Sequence, residues 1–107
     1  MVTDHDVERA MQFLATTDLE IASWKGQMLR TEYMAKVAEA MAFKALEGGV
    51  EERRQAARTL PEVQAKWEEH WETVVKYENL RARRERAVLT VELWRSVNAS
   101  RRQGQTQ

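Results

Sequence analysis

The densest chemistry-bearing stretch is Tyr77-Glu78-Asn79-Leu80-Arg81-Ala82-Arg83-Arg84-Glu85-Arg86, which places four arginines within six residues. A guanidinium pairs bidentately with phosphate and stacks on bases, so such a run suits an anionic ligand. At about 100° of rotation per helical residue, the four cannot share one face. Arg81, Arg84, Arg95 and Arg102 would form one ridge, with Arg83 and Arg86 directed elsewhere. Trp94 lies beside Arg95 and offers an aromatic platform for a base. It also continues the apolar stripe through Ala87 and Val91, which makes it a packing or interface anchor in the plainer reading. The plainer reading of the arginines is likewise structural: they pair with acidic residues of a neighbouring chain. In an oligomer the two readings are compatible.

Other candidate chemistry is sparse. His5 sits between Asp4 and Asp6 near the N-terminus and reads as a polar surface residue rather than a ligand. His70 lies between Trp67 and Trp71 and reads as a structural or interface histidine. A di-iron helical bundle needs Glu-x-x-His pairs, and the residue three before His70 is Trp67. Gly48-Gly49 is followed by neither Lys-Ser nor Lys-Thr, so it is no phosphate loop. Glu68, Glu69 and Glu72 fall around a helix as a solvated face. With no cysteine, the chain has no thiol chemistry, no disulfide and no zinc finger. The expectation is a protein without catalytic residues, metal or cofactor.

These side chains must be positioned by helices. The 107 residues include one proline, four glycines and abundant Ala, Glu, Arg and Lys, a composition that predicts a single all-α domain over residues 1–107. No apolar run is long enough to span a bilayer and no signal-peptide pattern opens the chain, so a cytoplasmic protein without membrane contact is expected. The formal net charge is zero, yet the charge is unevenly placed. Residues 1–24 carry one positive and five negative groups, and residues 81–107 carry seven and two. Such asymmetry points to an anionic partner or to head-to-tail self-association.

The spacing predicts a short helix over 4–16, capped by Thr3 or Asp4 and broken at Thr16-Thr17-Asp18. A long helix over 18–47 follows, closed by Gly48-Gly49. Residues 50–58 read as a link or short helix. Thr59-Leu60-Pro61-Glu62 reads as a helix start with Thr59 as cap, opening a second long helix over 61–100 and then a flexible tail over 101–107. The expected architecture is a hairpin of two long antiparallel helices with a short N-terminal helix. Two helices cannot cover each other's apolar stripes, and Trp24, Trp67, Trp71 and Trp94 would leave considerable area wet. Assembly into an oligomeric bundle or ring is therefore expected.

The Met41-Ala42-Phe43-Lys44-Ala45-Leu46-Glu47-Gly48-Gly49 helix end, the Glu52-Arg53 link, Leu60-Pro61-Glu62-Val63 and the final Glu92-Leu93-Trp94-Arg95-Ser96-Val97-Asn98 resemble small helical proteins that phages and prophages carry near recombination genes. More distantly, the layout over residues 18–102 is similar to the UvsY recombination-mediator family of large myoviruses. That resemblance implies ring-shaped oligomers, single-stranded DNA binding, and a recombinase or single-strand-binding protein as partner. The family's Lys-Ala-Arg helix end stands here as Lys44-Ala45-Leu46, so only Lys44 carries over.

Together these features predict a non-catalytic phage recombination accessory that binds single-stranded DNA. Its phosphate contacts would be Lys44, Arg81, Arg84, Arg95, Arg101 and Arg102, with Trp24, Trp67, Trp71 and Trp94 as interface or stacking residues. The alternative is a small helical adaptor or inhibitor whose tryptophans anchor it to another protein. A structural virion component is a third possibility.

Overall fold

A computed structural model describes residues 1–105, and within them the fold is all-helical. Three helices follow one another: α1 (Asp4–Ala45), α2 (Val50–Thr59) and α3 (Pro61–Gln105). The chain divides into two compact units. One comprises Met1–Ala22 with Glu78–Gln107, and the other Ser23–Tyr77.

Helix α1 opens with a reciprocal cap. The Asp6 amide donates to Thr3 Oγ1 at 3.1 Å, and the Thr3 amide donates to Asp6 Oδ2 at 2.9 Å. This is a capping box in which Asp takes the place of the usual Glu, and it satisfies two orphan amides at once. The Thr3 backbone hydrogen bond, chiefly, holds the Asp6 carboxyl below its ordinary range.

The break expected at Thr16-Thr17-Asp18 does not occur, so there is no separate short N-terminal helix and Asp18 caps nothing. Threonine interrupts a helix when its hydroxyl competes for the backbone. Here the Thr16 and Thr17 hydroxyls instead donate back to the Phe13 carbonyl, at 3.2 and 2.6 Å, and the helix continues. At the other end α1 stops at Ala45, slightly before Gly48, whose φ of +116° turns the chain. A side chain at Gly48 would meet the Glu52 carboxylate as well as strained backbone.

The start of α3 differs from the expected one. Thr59 belongs to α2, where its hydroxyl donates to the Ala56 carbonyl. Leu60, extended at φ −65° and ψ 134°, closes α2, and its carbonyl accepts the Val63 and Gln64 amides. Pro61 takes the first helical position, where its missing amide costs nothing. Helix α3 then continues through Arg101 to Gln105, where a flexible tail was expected, and Thr106 and Gln107 lie outside the described residues.

In the first unit α1 and α3 run antiparallel. The core cluster is Val7, Ala10, Ala87 and Val91, flanked by Val2, Phe13, Leu14 and Trp94. On α1 the inward positions Val7, Ala10, Leu14 and Thr17 alternate in steps of three and four, as do Leu80, Arg84, Ala87, Val91 and Trp94 on α3. This is the heptad pattern of a two-helix seam.

In the second unit the same two helices pair antiparallel, and α2 adds a third wall. Ala35, Ala57 and Val63 are completely buried. Most of the seam is small or polar: Thr31, His70 and Thr73 are buried with them. The Thr73 hydroxyl donates to the Glu69 carbonyl at 2.9 Å. The Thr31 hydroxyl lies 3.1 Å from the Met28 carbonyl and 3.0 Å from His70 Nδ1. The hydroxyl and the ring are joined by a hydrogen bond whose direction is set by the tautomer of the ring.

Two predictions follow from these contacts. Thr31→Val leaves the buried His70 Nδ1 unpaired and should cost about 1–3 kcal/mol in urea unfolding, whereas the double substitution Thr31→Val/His70→Leu should recover much of that loss. Equal destabilisation in the single and double variants would show that the bond is not what the seam needs. For Asp6, the depressed carboxyl contributes stability that is full above the ordinary value of 3.8 and is lost as pH falls through the lower folded-state value. The stability gap between wild type and Asp6→Asn should close over that acidic range and stay constant from pH 5 to 7, about where no other change at this carboxyl occurs.

Candidate nucleic-acid interface

The arginine run does not act as one ridge. Arg84 turns inward, its side chain 19% exposed, and bridges to α1. Its Nη1 donates to the Leu14 carbonyl at 2.9 Å and to Thr17 Oγ1 at 2.6 Å, and its Nη2 donates to Asp18 Oδ1 at 3.2 Å. A guanidinium with these three partners is a structural clamp, so Arg84 is not placed as a phosphate contact. The acidic partner comes from the N-terminal segment of the same chain. Arg81 is exposed but lies between Glu78 at 3.5 Å and Glu85 at 3.3 Å, one helical turn away on either side. Arg83 lies over the Phe13 ring, 4.8 Å from its centroid.

The arginines near the end of α3 stand differently. Arg95, Arg101 and Arg102 are exposed and have no ion-pair partner among the described residues. With Trp94 and Asn98 they line a groove of about 400 Å³. The groove arises from an overhang. Asp4, the first residue of α1, accepts the Trp94 Nε1 proton at 2.8 Å, while α3 continues to Gln105. Asn98 and Arg101 occupy the next inward positions after Val91 and Trp94 in the three-and-four pattern, beyond the start of the partner helix. Trp94 itself packs on the core cluster, so its indole is an anchor that forms one wall of the groove.

Lys44 lies in the last turn of α1, in the second unit, and lines a separate groove with Phe43, Arg54 and Arg58. Near it, the Arg53 guanidinium lies 4.4 Å from the Phe43 centroid, and its Nε is buried without a partner. The other tryptophans also belong to the second unit. Lys76 Nζ sits 5.1 Å from the Trp24 centroid. Trp67 meets His70 edge-on at 5.9 Å and lies 6.3 Å from Trp71, tilted by 30°. Trp71 is 59% exposed, and with Trp67, Gln64, Glu68 and the Glu39–Arg58 ion pair it lines an apolar groove of about 500 Å³.

One basic cluster was not legible in the sequence. Arg9 on α1 joins Arg83 and Arg86 on α3 around a groove floored by Ala10 and Ala87. Arg9 is remote from the arginine run in sequence and joins it only once the helix register is known. Among the described residues no group of three His, Asp or Glu side chains is placed to hold a metal ion, and no helix is long and apolar enough to cross a membrane. No family model, curated protein or solved structure matches the chain.

Arg81 and Arg84, three residues apart, should behave oppositely. Arg84→Met removes three hydrogen bonds across the seam, one of them to a carboxylate, and should destabilise by about 2–3 kcal/mol in chemical denaturation. Arg81→Met breaks two exposed ion pairs within one helix and should stay within about 0.5 kcal/mol of wild type. Similar losses in the two variants would contradict the clamp.

Proposed function

We propose that this protein is a non-catalytic, self-associating single-stranded-DNA-binding accessory of phage recombination, assisting a recombinase or annealing protein. The observation that carries this reading is the terminal groove of α3, where Arg95, Arg101 and Arg102 converge beside Trp94 with no carboxylate partner among the described residues. A flexible strand, unlike a rigid duplex, can lay successive phosphates on arginines at one helix end and rest a base against an indole edge. Arg101 and Arg102 thus remain phosphate contacts in this proposal, with Arg95. Lys44 lies in the other unit and is a separate contact. Arg81 and Arg84 are committed elsewhere. Self-association is supported by apolar side chains that their own unit leaves wet, notably Leu89 and Leu93 in the first and Trp71 and Val75 in the second.

The second reading, a helical adaptor for another protein, draws on the Trp67–Trp71 groove. Exposed tryptophans over an apolar groove are what a protein interface uses as anchors.

Titration of a fluorescent oligo-dT at low salt separates the two. The nucleic-acid reading requires binding that weakens steeply with salt, because each phosphate contact releases counterions. The triple variant Arg95→Gln/Arg101→Gln/Arg102→Gln should lose at least about tenfold in affinity and flatten the salt slope by about 2, with an unchanged unfolding midpoint. No binding by the wild type at tens of micromolar, about the range of weak non-specific contacts, removes the reading. Native mass measurement with and without oligo-dT tests self-association in the same samples.

A further inference from the structure

A second group of arginines converges in the first unit, on the groove lined by Arg9, Arg83 and Arg86. We infer that this groove is a binding site for phosphoryl groups, distinct from the terminal groove of α3 and independent of the single-strand reading.

The placement follows from the helix register. Arg83 and Arg86 lie one turn apart on α3, and Arg9 faces them from α1. Ala10 and Ala87, both nearly buried, form the floor, and their small side chains let the longer arginines stand as walls around a space of about 460 Å³. Arg83 is oriented by the Phe13 ring beneath it, so part of the ordering cost of one guanidinium is already met. Neither Arg9 nor Arg86 has an ion pair among the described residues.

One carboxylate lines the groove, Asp6, and after its hydrogen bonds with Thr3 the nearby charge of Arg9 is among the lesser causes that hold it below its ordinary range. Asp6 accepts the Thr3 amide in the helix cap and leaves a net charge of about +2 around the space, counting three guanidinium groups against one carboxylate. Thr90, the remaining polar wall, donates its hydroxyl hydrogen to the Arg86 carbonyl. The free donors of the groove are therefore guanidinium N–H groups, set around a concave site from two helices. Guanidinium forks match the oxygens of phosphate in planar, bidentate pairs. A neutral or cationic ligand would find no comparable acceptor set. Two adjacent phosphoryl groups, as in an oligophosphate or a nucleic-acid backbone, would meet more of the three arginines than a single small anion.

The test uses tripolyphosphate and oligo-dT as probes of the two sources of that chemistry, with sodium sulfate at matched ionic strength as control. Thermal unfolding and calorimetric titration are run on the whole chain, on Arg9→Gln/Arg86→Gln, and on Arg95→Gln/Arg101→Gln/Arg102→Gln. The double variant spares Arg83, whose contact with Phe13 belongs to the packing. Wild type should be stabilised by tripolyphosphate beyond the sulfate control. The double variant should bind it at least about tenfold more weakly with an unchanged melting temperature in its absence, while the terminal triple variant keeps wild-type affinity. If oligo-dT also uses the groove, the double variant flattens its salt slope by about 1.4 for the two lost contacts. Tripolyphosphate binding through Arg9 and Arg86 without any oligo-dT binding would uphold this site and sink the single-strand function. A wild type that responds to tripolyphosphate no more than to sulfate overturns the site. So does a double variant with wild-type affinity, or binding lost only in the terminal triple variant.

Discussion

In the first unit the register between α1 and α3 is fixed by one polar contact, the Arg84 guanidinium against Leu14, Thr17 and Asp18. An all-apolar seam of Val and Ala would tolerate sliding by a heptad, because such side chains are nearly interchangeable. A half-buried guanidinium at an inward position admits few alignments, since its donors must find a carbonyl, a hydroxyl and a carboxylate together. Once Arg84 is opposite Thr17, antiparallel geometry sets the neighbours. Asp4 comes to Trp94, Ala10 to the layer of Ala87, and Arg9 to the side of Arg83 and Arg86. The overhang of α3 beyond Trp94 is a consequence of that alignment as well.

The second unit uses the same device with a different pair. Its seam buries three residues completely, and two of these are alanines, so the apolar area gained per turn is small. Small residues bring helices close, and closeness makes polar pairing both possible and necessary. The His70–Thr31 bond lies among these residues, and no apolar pair of that size would specify the alignment as sharply. Both seams therefore trade driving force for uniqueness. That trade leaves large apolar side chains on the outside of each unit, where packing within the unit has no use for them.

The helical character, the turn at Gly48 and the first helical position of Pro61 were all readable from residue types, because each depends on local chemistry. The break expected at Thr16-Thr17-Asp18 was not, because the same hydroxyls serve a turn or a continuing helix according to what lies opposite. Thr17 continues the helix with Arg84 as its cross-helix partner, 67 residues away and beyond the reach of local rules. The cap of α3 was missed for a local reason: with Pro61 at the first helical position, Leu60 becomes the boundary and Thr59 falls into α2. The arginines show the limit most clearly. Helical phase sets Arg81 and Arg84 apart from Arg83 and Arg86 in the sequence, yet even within each pair the fates differ: Arg81 pairs along its own helix while Arg84 clamps the seam, and Arg83 lies on a ring while Arg86 faces a groove. The members of each pair separate only after the seam is known.

The electrostatics of the first unit follow from how its carboxylates are used. The unit holds eight positive and eight negative side chains, so it presents no net charge to a distant ligand. Two of those carboxylates are engaged by uncharged donors: Asp4 accepts an indole N–H, and Asp6 accepts a backbone amide. Both carboxylates keep their full charge, and Asp6 stands on the lining of the Arg9 groove, where three guanidinium groups outnumber it. At physiological salt a charge is felt over about 8 Å, close to the width of a single groove. An anion would therefore sense a basic groove at contact range while the balanced surroundings give little long-range steering. Affinity in such an arrangement comes from local counterion release and bidentate geometry, supplied by the excess of guanidinium groups over carboxylates at each groove.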